Sequence, residues 1–507
     1  MADEIEIKLK ASGAALKAVA KLDWLMTLAQ GKPKRKNLRS VYFDTAARAL
    51  QERGLILRVR HSGQRREQAV KASGKGIFAR HEWEGEISGD KPDLAALPHE
   101  ARKRLGKLER LRPVFETVVT RTTIPVLYDG AMIELALDAG VIKAGRRSEA
   151  IGEIELELKS GDAAGLATLA ERLAGDIALS FDARAKSERG YALAGGASGR
   201  AVHARDVALD GEMTVAEAFR AIGMECLRHL SSNETAVLAA DAEGVHQMRV
   251  GLRRLRAAMS LMRAMLSDSQ SQAIRTELKW LTEQLEPARD FDVFVRDSVA
   301  PLAKEARGMT VLKQDMEQRR DEAFARACTA VAGERYRRVI LSIVLWLANG
   351  VWGSNADLMQ RAHRERPILS FAGETLATRT AKVIKKARKL ESLQPRARHK
   401  LRIAAKKLRY AGEFFAPLYD GKKATTRQQK MSASLEALQD ALGRLNDFAV
   451  HQKMAGKIIA APKPQGSPKE AYGFGIVTGH ELGASKGFLA AACKAYTQLK
   501  AQKPFWA

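Results

Sequence analysis

Along the first 195 residues, charged and apolar side chains alternate in short runs. In the first, Glu4-Ile5-Glu6-Ile7-Lys8, an extended chain puts Glu4, Glu6 and Lys8 on one face and both isoleucines on the other. The same period of two predicts strands over residues 5–9, 38–44, 55–59, 67–71, 80–87, 115–124, 132–137 and 151–158. Helical spacing intervenes at 14–29, 94–105 and 163–174. Eight strands with so few crossover helices predict an antiparallel sheet or a closed barrel. Residues 194–199, Ala-Gly-Gly-Ala-Ser-Gly, read as a linker. Beyond it a helical period dominates, as at 215–230, 245–266 and 275–285, and strand signals fade. The expected architecture is α+β: an eight-stranded barrel over 1–195, a linker over 196–210, and an all-α bundle over 211–507.

The helical half contains a repeat. Residues 245–256, Val-His-Gln-Met-Arg-Val-Gly-Leu-Arg-Arg-Leu-Arg, return at 398–409 as Arg-His-Lys-Leu-Arg-Ile-Ala-Ala-Lys-Lys-Leu-Arg. Downstream, Arg289-Asp290-Phe291 parallels Asn446-Asp447-Phe448, so the half divides into copies over about 211–360 and 361–507. At about 100° per residue, His246, Arg249, Arg253 and Arg256 share one helical face, as do His399, Arg402, Lys406 and Arg409. Arg254 and Lys407 extend the basic set. A basic stripe is most often only a solvated face. Here it occurs twice with few of the acidic i,i+4 partners of a salt-bridged surface helix, so two stripes meeting about a pseudo-twofold would form a basic groove. Asp290, Asp292 and Asp447 would then anchor arginines.

Charge extends this picture. The 507 residues carry a net charge of +26 and a pI near 10.0, a balance that points to a polyanionic partner. Most of the excess lies after residue 200, +18 against +8 before it. Cys226, Cys328 and Cys493 show neither zinc spacing nor a disulfide framework, which fits a cytoplasmic location. The most apolar run, 339–348, is too short to cross a membrane and reads as a buried helix. The first ten residues are too charged for a secretory signal.

In the strand half, the polar faces are almost wholly Glu, Asp, Arg and Lys. Arg58 and Arg60 sit two apart, Arg80, Glu82, Glu84 and Glu86 share a face, Glu134 and Asp138 share another, and Glu153, Glu155, Glu157 and Lys159 a fourth. For any one strand a solvated face is the simpler reading. Held together in a closed barrel, such charges must pair, bind metal or await a charged ligand. Carboxylates without neighbouring His or Cys select hard cations, Mg²⁺ or Mn²⁺. Arginines and lysines opposite them clamp phosphate oxygens. A Walker-type Gly-rich loop is lacking, which argues against a P-loop enzyme.

Glu4-x-Glu6-x-Lys8, Arg58-x-Arg60, Lys71, Arg80-x-Glu82-x-Glu84, Arg121, Glu134 with Asp138, Glu153-x-Glu155-x-Glu157 and Lys186 resemble, in order, the CYTH (triphosphate tunnel metalloenzyme) family. The resemblance implies an eight-stranded tunnel that takes triphosphates with a divalent metal. By position it implies Glu4, Glu6, Asp138, Glu153, Glu155 and Glu157 as metal ligands. Arg58, Arg60, Lys71, Arg80, Arg121 and Lys186 would hold phosphates. Lys8 would lie beside the attacking water or terminal phosphate, which makes Glu4, Glu6 and Lys8 the catalytic set. Glu82 and Glu84 would orient arginines. Residues 211–507 resemble the CHAD family, which implies polyphosphate binding along both basic stripes.

Together the two resemblances imply a bacterial two-domain inorganic triphosphatase. It would hydrolyse tripolyphosphate with Mg²⁺ or Mn²⁺, bind long-chain polyphosphate, and associate with polyphosphate granules. The alternatives are an organic triphosphatase or adenylate cyclase of the same fold, or a non-catalytic polyphosphate- or nucleic-acid-binding protein. Nucleic acid fits less well, because the stripes hold few aromatics for base stacking.

Overall fold

The computed structural model describes residues 5–73, 80–108, 110–197, 199–306, 308–459 and 468–506. The described chain forms two compact units. One comprises residues 1–202, 227–239 and 331–351; the other comprises 203–226, 240–330 and 352–507.

In the first unit, the alternating segments become nine strands: β1 (Ile5–Lys10), β2 (Lys34–Asp44), β3 (Leu55–Ser62), β4 (Arg65–Ser73), β5 (Arg80–Glu86), β6 (Arg112–Tyr128), β7 (Ala131–Ala144), β8 (Arg147–Ser160) and β9 (Ser180–Phe181). They form one antiparallel sheet in the order β5-β4-β3-β2-β6-β7-β8-β1-β9. Here the structure corrects the expected closed eight-stranded barrel. A ninth strand, too short to show alternation, pairs with β1, and the two edges share no hydrogen-bonded ladder among the described residues. The expected helix at 14–29 is also split, into Gly13–Val19 and Asp23–Thr27.

Period two sends the apolar residues to the outer face. Ile7, Leu9, Ile133, Leu135, Ile154 and Leu156 pack against the helices Gly13–Val19 and Ala163–Asp176 and against Leu341. Leu57, Val59, Val70 and Trp83 pack under the helix His99–Leu105. The charged positions therefore share the opposite, concave face. Leu341 belongs to the expected buried run, and its helix, Glu334–Asn349, lies in this unit.

The helix Lys186–Ala194 lies over one end of the concave face. Glu188 accepts a hydrogen bond from the Ala185 N–H at its start (3.3 Å). Tyr191 and Leu193 pack with Tyr42, Phe115, Val119, Ile142, Ala144 and Ile151 into a buried apolar plug. Gly190 is required there, because a Cβ would overlap the Phe115 ring. Gly190→Ala is expected to force the helix off Phe115 and lower stability by about 1–3 kcal/mol. A thermal melt reads this directly, and an unchanged midpoint would contradict the packing.

The second unit is helical. The two similar basic segments lie on two helical hairpins: Ala242–Leu261 with Ser269–Val293, and Pro395–Phe415 with Lys422–Ile459. The expected loop at 462–468 falls almost wholly outside the described residues. Among the described residues, no helix is long and apolar enough to cross a membrane.

Candidate active site and basic groove

The register aligns the charges in rows across the concave face. Arg121 pairs with Asp138 and Asp138 with Glu153; two residues along, Glu155 lies beside Lys8; two further, Glu157 lies between Glu6 and Glu134. Glu153, Glu155 and Glu157 thus point to the same side as Glu6 and Lys8. Arg121 binds Asp138 bidentately (2.7 Å for each bond) and reaches Glu155 at 2.5 Å. Lys186, the first residue of its helix, meets Asp138 (2.8 Å), Glu153 (2.6 Å) and Glu155 (2.8 Å) at once. Lys8 lies 3.0 Å from Glu6 and 3.6 Å from Glu155.

Burial makes these pairs matter. Asp138 and Glu153 are buried, and buried carboxylates persist as anions only when compensated. Burial alone would raise the pKa of Glu155, yet Lys186, Lys8 and Arg121 hold it well below the usual carboxylate range. Burial likewise opposes the charge on Lys186 and Arg121, and the facing carboxylates outweigh it, so both pKa values are raised.

A second charged set stands on β3, β4 and β5. Arg58 binds Glu82 (2.9 Å) and Glu84 (3.2 Å), and Lys71 also binds Glu82. Glu82 is held down at about 2: burial works against ionisation there, but Arg58 and Lys71 prevail. Glu84 is pushed up to about 7 by burial and by the Glu82 carboxyl. Burial lowers the pKa of Arg60, and the charges of Arg58 and Arg121 lower it further. Cations of the two sets therefore sense each other across the face.

Not every expected residue joins the cluster. Glu157 bonds Lys159 at 2.5 Å, two residues along from Glu155. Glu4 lies outside the described residues; Arg80 is placed by its backbone alone, opposite Ser73.

In the helical unit, the two stripes converge. Arg253 donates to the Tyr410 hydroxyl of the other hairpin (3.2 Å). Lys406 is pushed down to about 7 by burial and by the charges of Arg253, Arg402, Arg409 and Arg249. Burial, then Arg289, pushes His246 down to about 4, so this imidazole is neutral near pH 7. Corresponding pairs recur: Arg256 bonds Thr282 (3.2 Å) where Arg409 bonds Gln439 (3.3 Å), and His399 bonds Asn446 (2.9 Å) where His246 faces Arg289. Asp290 and Asp292 pair with Arg249 (3.9 Å) and Arg289 (3.1 Å). Arg254 and Lys407 lie elsewhere. Arg254 is buried over Phe414 and donates to the Arg205 carbonyl, while exposed Lys407 senses Arg379 and Lys382.

Comparison with known proteins resolves the ancestry of both units. The CYTH domain model matches residues 2–191 and the CHAD domain model residues 221–456. The chain carries a CYTH domain followed by a CHAD domain. An inorganic triphosphatase from Haemophilus influenzae is 32% identical over 160 residues, 31% of this chain, and the chain spans about half (46%) of that relative's length. The crystal structure of the CHAD domain from the plant Ricinus communis overlays 60% of this chain and 97% of its own at 27% identity, with a TM-score of 0.50. A Hippeastrum protein described as a putative adenylyl cyclase that reveals a dominant triphosphatase activity covers 37% of this chain and 95% of its own, at 20% identity and a TM-score of 0.27.

CYTH proteins use divalent metals, and the donor set here fits one. Asp138, Glu153 and Glu155 each offer a carboxylate oxygen, all within 4.8 Å of one another, an all-oxygen set suited to a hard cation. Arg189 is the site residue the sequence reading missed. It binds Glu149 (2.7 Å) and Glu153 (2.5 Å) from one helical turn beyond Lys186. The signal was present in the Lys186-x-x-Arg189 spacing, which puts both cations on one helical face.

Proposed function

We propose that the CYTH domain hydrolyses inorganic tripolyphosphate to diphosphate and phosphate with Mg²⁺ or Mn²⁺, while the CHAD domain binds long-chain polyphosphate in the groove between two duplicated hairpins. The observation that carries the reading is the buried cluster of Asp138, Glu153 and Glu155 with Lys186 and Arg121, facing a second set of cations. Asp138, Glu153 and Glu155 would hold the divalent ion, which would supply Lewis-acid chemistry toward the phosphate. Arg58, Arg60 and Lys71 on the facing strands hold the remaining phosphate oxygens and orient the chain. Lys8 and Arg121 balance charge that develops on the oxygens as the anhydride bond opens. Glu6, 3.0 Å from Lys8, fixes the direction of that ammonium.

An inorganic substrate is favoured over a nucleotide by the aromatics on the concave face. Tyr42 and Phe115 stack on each other at 4.4 Å, and Tyr191 meets Phe115 edge-on at 5.2 Å. All three are buried by the protein's own packing, which leaves no slot among them for a base. The full chain with Mg²⁺ or Mn²⁺ is expected to release phosphate from tripolyphosphate about tenfold faster than from ATP or thiamine triphosphate. Equal or faster turnover of either organic substrate would sink the substrate assignment. No release from any of them would sink the enzyme.

A further inference from the structure

At the far side of the apolar plug the CYTH domain has a cleft of about 530 Å³, lined by Arg48, Arg112, Arg146 and Arg147. Among the described residues, no carboxylate lies within 4.0 Å of any of these guanidiniums, whereas the arginines of the concave face are nearly all paired. Arg48 donates to the Tyr191 carbonyl (3.3 Å), Arg147 to those of Leu193 (3.2 Å) and Ala194 (3.4 Å), and Arg112 to that of Ala46 (3.2 Å). The Arg48 and Arg147 bonds stabilise the C-terminal end of the Lys186–Ala194 helix, and the Arg112 bond ties down the turn after β2, but together they engage one nitrogen of each guanidinium. With five N–H donors per guanidinium, most of the donor capacity stays free. Arg146 has no protein partner among the described residues.

The backbone commits to this convergence. Arg48 adopts a left-handed conformation (φ 58°), which a non-glycine residue holds only under surrounding constraint. The β7–β8 turn that carries Arg146 and Arg147 needs Gly145 at φ 59°. Four like charges lining one cleft, with no carboxylate within 4.0 Å among the described residues, repel one another, so the arrangement favours a multiply charged anion. Guanidinium forks suit phosphate oxygens, and the rest of the lining is small or apolar, with no aromatic ring to stack a base.

We propose that this cleft is a second anion site, separate from the carboxylate cluster, that takes a condensed inorganic phosphate of two or more units. The inference needs only the unpaired guanidiniums and stands whether or not the concave face hydrolyses tripolyphosphate.

Hydrogen–deuterium exchange on the full chain, without divalent metal, locates binding by segment. Diphosphate, tripolyphosphate and long-chain polyphosphate are compared with sulfate at matched ionic strength. Exchange across 144–148 and 191–196 is expected to slow by about threefold or more with the condensed phosphates and not with sulfate. In Arg112→Ala/Arg146→Ala and in Arg146→Glu, this slowing should vanish, while exchange in the rest of the sheet matches the parent. Slowing with long-chain polyphosphate alone assigns the site to chain segments; slowing with diphosphate as well assigns it to free short phosphates. Absent slowing, slowing retained in both variants, or an equal response to sulfate would overturn the proposal.

Discussion

Glu155→Gln is expected to reduce phosphate release from tripolyphosphate by on the order of 10³-fold. Glu155 meets Lys186, Arg121 and Lys8, and it completes the carboxylate triad with Asp138 and Glu153. The amide keeps the shape but removes the charge, leaving three cations facing two carboxylates where they had faced three. Some loss of stability follows, so the melting midpoint must be measured beside the rate. Glu157→Gln provides the contrast, because Glu157 spends its charge on Lys159 away from the triad. Its expected loss is under about tenfold. If Glu155→Gln retained activity within tenfold of the parent, or if Glu157→Gln fell as far, the assignment of the centre to the triad would fail.

Charge reversal in the CHAD groove has the second large effect. Arg253→Glu/Arg402→Glu is expected to weaken long-chain polyphosphate binding by about 10²-fold near 0.15 M salt and to flatten its salt dependence. Lys406 adds a pH signature. With its pKa near 7 in the free protein, it is charged below that value and neutral above it. A bound polyanion stabilises the charged form, so binding takes up a proton, and affinity should fall by up to about tenfold between pH 6 and pH 8. Lys406→Met should remove most of that slope. Unchanged affinity in the reversed variant, or a pH profile that Lys406→Met leaves intact, would place polyphosphate elsewhere. The linkage to stability has the opposite sense: a lysine ordinarily titrates at 10.5, so the unfolded chain holds more protons between pH 7 and 10.5 and Lys406 destabilises the fold less as pH rises.

Much of this site was legible in the sequence because period two is a local property. Once Ile7 and Ile154 face outward, Glu6, Lys8, Glu153 and Glu155 must face the other way. Closure was not legible, since it depends on two edge strands meeting, and β9 is two residues long. Arg189 was hidden in a Lys-Ser-Glu-Arg run that reads as surface, and only the helix packed over the concave face turns it inward. The repeat in the CHAD half was visible as a motif, yet it assigned Arg254 and Lys407 too generously. Each sits eight residues after its histidine, about 80° off the stripe, and Arg254 is taken up by Phe414 and the Arg205 carbonyl.

The apolar plug under the Lys186–Ala194 helix gives the catalytic face a dead end. On the proposed function, a linear polyphosphate could not be threaded past Tyr42, Phe115 and Tyr191 at this end, so a chain terminus is what the carboxylate cluster is expected to meet. A face blocked in this way would act on chain ends rather than chain interiors. Tripolyphosphate suits such a chamber because it is nearly all terminus, whereas a long polymer offers two ends however many residues lie between them. Capture of the polymer's middle would then fall to an open surface, the role proposed for the CHAD groove.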